Sequence, residues 1–228
     1  MIVAIDGPSG AGKSSVSKEV ARNLGFNCLD TGAMYRAIAW QGVQNGVSLE
    51  DADAMGEIAR TYDIEFLHEE GNPQAIGVLI GGADVTKAIR TAEIDRAVSP
   101  ASSHVPVREA LVAQQQRIGH GGNYVVEGRD IGTVVFPDAE VKVFLTASDE
   151  ERARRRVAQN LERGVGSTDF DEVLADIIRR DKYDSSRAAS PLKPAEDAVH
   201  IDSTAFTMDE VVEQICELAR KAMLVNPS

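Results

Sequence analysis

The sequence of 228 residues lacks the cysteine and histidine clusters that mark many metal sites, and it lacks the long apolar runs of membrane-spanning proteins. Its two cysteines, Cys28 and Cys216, have no metal-ligand spacing and no histidine pair nearby, so we expect both to be buried thiols. The four histidines are scattered, whereas a metal site needs clustered ligands. No stretch approaches the ~18 apolar residues of a membrane span, and the apolar residues after Met1 follow no basic segment. These absences predict a soluble, cytoplasmic protein without a membrane partner.

Positive charge is also scarce, because the formal net charge is −12. Binding a long nucleic acid depends on neutralising many phosphates, so a nucleic-acid polymer is not the expected ligand. The negative charge is unevenly distributed along the chain, since residues 150–193 contain ten Lys and Arg against nine Asp and Glu. An arginine-rich segment in an acidic protein predicts a small, highly anionic ligand held in a cleft. We expect the protein to act as a monomer on such a ligand.

A glycine-rich loop follows the first apolar stretch. Its spacing, Gly7-x-x-x-x-Gly12-Lys13-Ser14, fits the P-loop, in which backbone N–H groups wrap phosphate oxygens at a helix N-terminus. In a P-loop the lysine reaches the β- and γ-phosphates and the serine ligates Mg²⁺. A dinucleotide-binding fingerprint would need glycine at position 15, which is Ser15. The predicted phosphate-binding residues are Gly7, Pro8, Ser9, Gly10, Ala11, Gly12, Lys13, Ser14 and Ser15.

Short apolar stretches alternate with helical patterns and predict an α/β fold with a parallel sheet covered on both faces. The expected strands are Ile2–Asp6, Asn27–Leu29, Tyr124–Glu127, Val141–Leu145 and Val199–Ile201. Near the C-terminus, "MDEVVEQICELARKAML" predicts a helix with one buried face.

Residues 40–106 have a different character, with alternating hydrophobicity that predicts a small antiparallel insert. Its expected strands are "DIEFL" and "QAIGVLI", with turns at "EEGN" and "GGAD" and "VTKAI" as a candidate third strand.

Charged residues follow two of the predicted strands. "DTGAMYR" puts Arg36 about one helical turn after Thr31, where a hydroxyl and a guanidinium can grip one phosphate. "YVVEGRDIG" puts Glu127, Arg129 and Asp130 at the carboxyl end of an apolar strand, where ligands bind in open α/β sheets. Each segment could also be an ordinary surface loop or helix, and the combination favours a ligand site.

Two arginine-rich segments come later in the chain. In "DEERARRR" the arginines at positions 152, 155 and 156 share one helical face. In "RRDKYDSSRAASPL" the spacing of Arg180, Asp184 and Arg187 also fits one face. A charged, solvated helix is the ordinary interpretation. Beside a P-loop, however, arginines are typical stabilisers of the charge that spreads over a transferred phosphoryl group.

Together these motifs resemble bacterial-type cytidylate kinase over nearly the whole chain. The specific pieces are "EGRDIGTVVFPDA" and "DSSRAASPL", since the P-loop alone would indicate only a nucleoside monophosphate kinase-like protein. The resemblance implies a P-loop three-layer fold with a P-loop core (1–39 and 107–228), a helical lid (about 148–190) and a nucleoside monophosphate-binding insert (40–106). One departure is Ser14-Ser15, where Gly-Thr is expected, and this leaves open which hydroxyl serves Mg²⁺.

The resemblance also implies roles for individual residues. ATP would lie on the P-loop, under a lid that carries Arg152, Arg155 and Arg156. The implied ligands of the CMP phosphate are Thr31, Arg36, Arg129 and Arg187. The ribose would lie near Arg180 and Asp184, and the cytosine would be read by Ser99, Arg108 and Asp130. The implied catalytic set is Lys13, Arg129, Arg152, Arg156 and Arg187.

The predicted activity is therefore transfer of the γ-phosphoryl group of ATP to CMP or dCMP, with Mg²⁺. One alternative is a P-loop kinase for another small acceptor, such as UMP, AMP or shikimate. Another is a nucleotide-binding switch of the GTPase type, but the guanine-binding pattern Asn-Lys-x-Asp occurs nowhere in the sequence. A non-catalytic nucleotide sensor is disfavoured by the two sets of arginines.

Overall fold

A computed structural model describes residues 1–69, 72, 75–187 and 189–225. Its strands are β1 (Ile2–Asp6), β2 (Asn27–Asp30), β3 (Ile64–His68), β4 (Ala75–Ile80), β5 (Ala83–Asp84), β6 (Tyr124–Gly128), β7 (Val141–Thr146) and β8 (Val199–Asp202). Its α-helices are α1 (Lys13–Leu24), α2 (Thr31–Gln44), α3 (Ala52–Thr61), α4 (Ala92–Ala101), α5 (Val105–Gly119), α6 (Asp149–Arg163), α7 (Phe170–Ser186) and α8 (Met208–Val225). A 3₁₀ turn covers Ala88–Arg90, and a π-helical turn covers Ile131–Val135.

The chain divides into two compact units. Unit 1 comprises residues 1–28 and 122–228, and unit 2 comprises residues 29–121. Among the described residues, no helix has both the length and the apolar character needed to cross a membrane.

A five-stranded sheet has the strand order β2-β6-β1-β7-β8, and all of it except Leu29 and Asp30 at the end of β2 belongs to unit 1. β1 lies at the centre and pairs in parallel with β6 on one side and β7 on the other, and β7 pairs in parallel with β8. In the β1–β6 register, Ile5 lies opposite Glu127 and Asp6 opposite Gly128. The carboxyl ends of these strands therefore meet at one edge, as expected for a ligand site in an open α/β sheet. The predicted fold class is confirmed.

The largest core of unit 1 lies where α1 and α8 cover one face of the sheet. Val3 and Ile5 of β1 pack there with Val20 of α1 and Ile215 of α8, and all four side chains are fully buried. Both cysteines belong to this core as free thiols, as predicted. Because the helix that follows the P-loop is fixed by this packing, the loop itself has a rigid base.

The helices α6 and α7 carry a smaller core of their own. It consists of Ala153, Val173 and Ile177, with Val157 and Leu174 packed at its edge. The Ser148 hydroxyl caps the start of α6 by accepting a hydrogen bond from the Glu151 N–H at 3.2 Å. This pair of helices corresponds to the predicted lid segment.

Unit 2 combines α2, α3, α4 and α5 with an antiparallel sheet of strand order β3-β4-β5. One buried side chain ties helix to sheet, since Gln114 of α5 accepts a hydrogen bond from Ile64 N–H at 3.1 Å. Its amide nitrogen donates to the carbonyl oxygens of Ala59 and Tyr62. The first strand of the insert is thereby held against α3 and α5.

The predicted position of the third insert strand is wrong. Residues of "VTKAI" form a turn and the start of the 3₁₀ segment, and β5 lies instead in the predicted "GGAD" turn. Side-chain hydrogen bonds explain the difference, because the Thr86 hydroxyl donates to Asp84 and accepts from Val78 N–H. These local bonds end the ladder after two residues. Gln74 and the two central residues of the "EEGN" turn, Glu70 and Gly71, lie outside the described residues.

Candidate active site

The P-loop joins β1 to α1 and packs tightly against two neighbouring elements. A Cβ atom on Gly7 would collide with the carbonyl oxygen of Leu145 in β7. Gly10 has φ +79°, and a Cβ there would lie 3.0 Å from the Cβ of Arg152 in α6. Both positions need glycine, because the loop backbone approaches β7 and α6 more closely than a side chain allows.

Lys13 lies inside this loop. Its Nζ donates hydrogen bonds to the carbonyl oxygens of Gly7 at 2.7 Å and Pro8 at 2.8 Å. Burial, followed by the charge of Arg129, lowers the pKa of Lys13 well below its usual value, against the opposing effect of Glu127 and Asp6. The two carbonyl oxygens carry no net charge, so an anion would be a stronger hydrogen-bond partner for this buried ammonium group.

Ser14 and Glu127 meet beside the loop. Ser14 Oγ donates to Glu127 Oε2 at 2.8 Å, and Glu127, at the end of β6, is only 4% exposed. A hydroxyl and a carboxylate are hard oxygen ligands of the kind that Mg²⁺ takes. The described residues contain no group of three or more His, Cys, Asp and Glu side chains that could hold a metal. A metal here would therefore take its remaining ligands from phosphates and water.

Asp6 fixes the loop that follows β6. Its carboxylate accepts hydrogen bonds from Ile131 N–H at 2.7 Å and Gly132 N–H at 2.8 Å. Burial raises the pKa of Asp6 to about 6, although both backbone hydrogen bonds act to lower it. Because this loop also contains Arg129 and Asp130, Asp6 sets the positions of two predicted site residues. Sequence reasoning assigned Asp6 no role.

Two arginines of the predicted CMP site, Arg129 and Arg187, contact Asp184 near the end of α7. Arg129 Nε donates to Asp184 Oδ2 at 3.1 Å. Arg187 Nε donates to the Asp184 carbonyl at 3.2 Å, and its Nη1 lies 3.9 Å from Asp184 Oδ1. On the same helix, the charge of Arg180 helps to lower the pKa of Lys13. The charges of Arg129 and Arg180 thus both act on the P-loop lysine.

The three arginines of α6 that are predicted to lie in the lid, Arg152, Arg155 and Arg156, all donate hydrogen bonds to atoms of the P-loop. Arg152 is 3% exposed and donates to the carbonyl oxygens of Ser9 at 2.8 Å and Ala147 at 3.1 Å. Arg156 Nη2 donates to Ser9 Oγ at 3.0 Å. Arg155 donates to the carbonyl oxygen of Ser203, after β8, at 2.8 Å. The shared helical face was predicted, but the protein partners of Arg152 and Arg155 were not.

Two predicted site residues of unit 2, Thr31 and Arg36, lie on α2. Thr31 is the first residue of α2, and the Asp30 carboxylate caps the helix by accepting from Ala33 N–H at 3.0 Å. Burial acts to raise the pKa of Asp30, but the neighbouring charge and hydrogen bond of Arg90 lower it overall. Arg36, one turn later, lies 2.5 Å from Asp95 Oδ1. Both acidic partners were missed, although an Asp just before a helix is a recognisable N-cap signal.

Arg108 and Ser99 occupy neighbouring helices of unit 2. Arg108 in α5 is 4% exposed, and its guanidinium carbon lies 5.3 Å from the centre of the Tyr35 ring. Arg108 Nη1 donates to the Ser102 carbonyl at 3.2 Å, and Ser102 Oγ donates to the Ser99 carbonyl at 3.1 Å. These bonds bring the two predicted base-reading residues of unit 2 together.

The sequence is similar to those of known cytidylate kinases. The family model for cytidylate kinase matches residues 3–221. A cytidylate kinase of Shouchella clausii (strain KSM-K16) is 49% identical over 219 residues, covering 96% of each chain, and one of Bacillus subtilis (strain 168) is 46% identical over 215 residues, covering 94% of each. A crystal structure of shikimate kinase from Bacteroides thetaiotaomicron matches with a TM-score of 0.49 at 13% identity, covering 96% of this chain and 98% of that one.

Proposed function

The chain belongs to the cytidylate kinase family, and on that basis we propose roles for its residues in moving a phosphoryl group from ATP to CMP. It is an ATP-dependent nucleoside monophosphate kinase, a cytidylate kinase that converts ATP and CMP into ADP and CDP. The observation that carries this function is the extent of the family match, which spans residues 3–221 and not the P-loop alone.

We propose that ATP binds on residues 7–15, with its β- and γ-phosphates drawing Lys13 away from the carbonyls of Gly7 and Pro8. A phosphate oxygen carries full negative charge, so it is a stronger acceptor for the ammonium than a carbonyl. The lysine then neutralises charge that would otherwise repel the incoming acceptor phosphate.

We propose that Mg²⁺ accompanies ATP and is held by Ser14 and Glu127. Ser14 is favoured over Ser15 because its hydroxyl already bonds the Glu127 carboxylate, at 2.8 Å. When bound, Mg²⁺ neutralises the charge of the β- and γ-phosphates. The carboxylate fixes the orientation of the hydroxyl at the mouth of the loop.

CMP is proposed to bind the residues that the family resemblance implies. The proposed ligands of its phosphate are Thr31, Arg36, Arg129 and Arg187. The proposed ligands of its ribose are Arg180 and Asp184, and those of its cytosine are Ser99, Arg108 and Asp130. Asp184 holds two of the guanidiniums, since it contacts both Arg129 and Arg187. Because these contacts fix the guanidinium groups before CMP binds, each guanidinium is placed to donate two parallel hydrogen bonds to a phosphate.

We propose different roles for two of the lid arginines, Arg156 and Arg152. Arg156, which bonds the Ser9 hydroxyl, is proposed to contact the transferred phosphoryl group. Arg152 uses its donors on protein oxygens, so we propose that it supports the P-loop instead. Residues 148–190 would form the lid, and residues 40–106 would form the acceptor-binding insert.

The reaction requires that the two substrates be aligned, and it requires no covalent bond between the enzyme and either substrate. An oxygen of the CMP phosphate attacks the γ-phosphorus of ATP, the bond from that phosphorus to the bridging oxygen breaks, and ADP leaves. The acceptor phosphate is already a nucleophile, so no general base is required. The enzyme would hold two anions in line, neutralise their repulsion and exclude water that would hydrolyse ATP.

The test is an ADP-release assay with CMP, dCMP, UMP, AMP and shikimate as acceptors, with Mg²⁺ and with EDTA. We expect CMP and dCMP to give the highest kcat/KM, and EDTA to abolish turnover. A higher kcat/KM with UMP, AMP or shikimate would reject the proposed acceptor. A cytoplasmic location, a monomeric state and the use of dCMP beside CMP stay predictions from the sequence.

A further inference from the structure

Arg152 joins two helices and the P-loop through one guanidinium. Its Nη1 donates to the Ser9 carbonyl in the loop at 2.8 Å. Its Nη2 lies 2.6 Å from Asp181 Oδ2 in α7 and 2.5 Å from Asp149 Oδ1 in its own helix. The Arg152 side chain is 3% exposed, Asp181 is 22% exposed and Asp149 is 49% exposed. The contact to Asp181 is therefore the better shielded from water of the two ion pairs.

Asp181 occupies a particular place on α7. It directly follows Arg180 and lies one turn before Asp184, the carboxylate that holds Arg129. One end of the contact chain Ser9–Arg152–Asp181 is therefore the loop proposed to bind ATP. The other end is the helix proposed to bind CMP.

We propose that Asp181 is a positioning residue that couples binding of ATP at the P-loop to binding of CMP by the residues of α7. Phosphates bound on the loop fix its backbone, including the Ser9 carbonyl, and thereby fix the guanidinium that holds Asp181. The acceptor residues of α7 are then ordered before CMP arrives, which lowers the entropic cost of binding CMP. This inference rests on the proposed function.

Thermodynamic linkage makes the proposal measurable. If bound ATP tightens the binding of CMP by some factor, bound CMP tightens the binding of ATP by the same factor. The factor is a ratio within one variant, so a general loss of stability or of affinity cancels from it. A residue with a merely structural role would leave it unchanged.

The chain offers a matched control. Asp149 and Asp181 contact the same Nη2 of Arg152, so Asp149→Asn and Asp181→Asn each remove one carboxylate charge from it. Asp149 lies on the same helix as Arg152, whereas Asp181 lies on α7. Only the second substitution cuts the contact between the loop and the acceptor helix.

The experiment is calorimetric titration of CMP into full-length protein, with and without saturating Mg²⁺ and a non-hydrolysable ATP analogue, repeated in the reverse order. For the wild type and Asp149→Asn we expect the analogue to tighten CMP binding about tenfold. For Asp181→Asn we expect a factor close to one. If Asp181→Asn does not fold, Asp181→Ser removes the carboxylate without placing an amide beside the guanidinium.

Three results would overturn the inference: a wild-type factor in the Asp181 variant, an equal loss of coupling in Asp149→Asn, or no coupling in a wild type that phosphorylates CMP. A wild type that neither binds nor phosphorylates CMP would instead overturn the proposed function. The turnover assay on the same preparation separates these failures.

Discussion

Ser14 Oγ lies 2.8 Å from Glu127 Oε2, so a hydrogen bond joins the first turn of α1 to the carboxyl end of β6. This contact exists because β1 and β6 pair in parallel, with Ile5 opposite Glu127. The strand that enters the P-loop and the strand that carries the acid therefore end side by side. The contact supports the proposed Mg²⁺ site and gives the first prediction.

Glu127→Gln should raise the Mg²⁺ concentration needed for half-maximal activity and lower kcat by about 10- to 100-fold. The amide keeps the shape of the side chain but removes the charge that attracts the metal. Initial rates across a Mg²⁺ titration measure both effects. The exposed Glu217→Gln in α8 is the control, and an unchanged Mg²⁺ dependence in Glu127→Gln would remove this residue from the proposed site.

Lys13→Ala should lower kcat by at least about 100-fold, because it deletes a cation beside the proposed γ-phosphate. The fold should persist, since the loop is shaped by glycine packing and by α1. Steady-state rates and a circular dichroism melt test these two statements. The exposed Lys18→Ala should behave like the wild type. Near-normal turnover in Lys13→Ala would rule out the P-loop as the ATP site.

Arg156→Ala should lower kcat more than it raises the KM for CMP, because charge on the transferred group develops mainly in the transition state. Arg154→Ala is the matched control, since that side chain lies two residues away on α6 and is 64% exposed. The measurement is full kinetics with both substrates varied. A change confined to the KM for CMP would move Arg156 out of its proposed role.

Asp130→Asn should narrow the CMP-to-UMP ratio of kcat/KM by about tenfold. A carboxylate suits the 4-amino donor of cytosine and opposes the O4 acceptor of uracil, whereas an amide can face either. A buried mismatch of this kind is worth about 1–3 kcal/mol. AMP should remain a poor substrate in this variant. Adenine has the same amino donor and ring acceptor as cytosine, so the size of the pocket must exclude it and the substitution does not change that size. Asp138→Asn, at an exposed position, is the control, and an unchanged ratio in Asp130→Asn would show that the base is read elsewhere.

Asp6 should give the protein a measurable pH dependence of stability. Its folded-state pKa of about 6 lies above the usual 3.8, so the folded state binds more protons between these values. The contribution of Asp6 to the free energy of unfolding should therefore be full below the unfolded-state pKa and be lost as the pH rises through about 6, with a total loss of about 3 kcal/mol that is complete above about pH 7.

Urea unfolding at intervals from pH 4 to pH 8 checks this dependence. Asp6→Asn should lack the fall, so the difference in stability between wild type and variant should change most between pH 4 and pH 6. The exposed Asp53→Asn should follow the wild-type curve. Parallel curves for wild type and Asp6→Asn would contradict the assigned pKa.

The strands of the main sheet could be predicted because buried parallel strands are short apolar runs, and Ile2–Asp6 is buried throughout. The P-loop could be predicted because its spacing is local. The bond from Asp6 to Ile131 could not be predicted, since it joins residues 125 positions apart and depends on which strand lies beside β1. The same limit applies to Arg152, because helical periodicity gives its face but not its partners.

The small core of the α6–α7 pair has a consequence for protease sensitivity. Ala153, Val173 and Ile177 are its only buried apolar side chains among the described residues, whereas the sheet core of unit 1 has many more. Local opening is easiest where few apolar contacts are lost, so amides of α6 and α7 should exchange with solvent before those of β1. Limited proteolysis should then cut first near residues 164–169, and bound nucleotides should slow that cleavage.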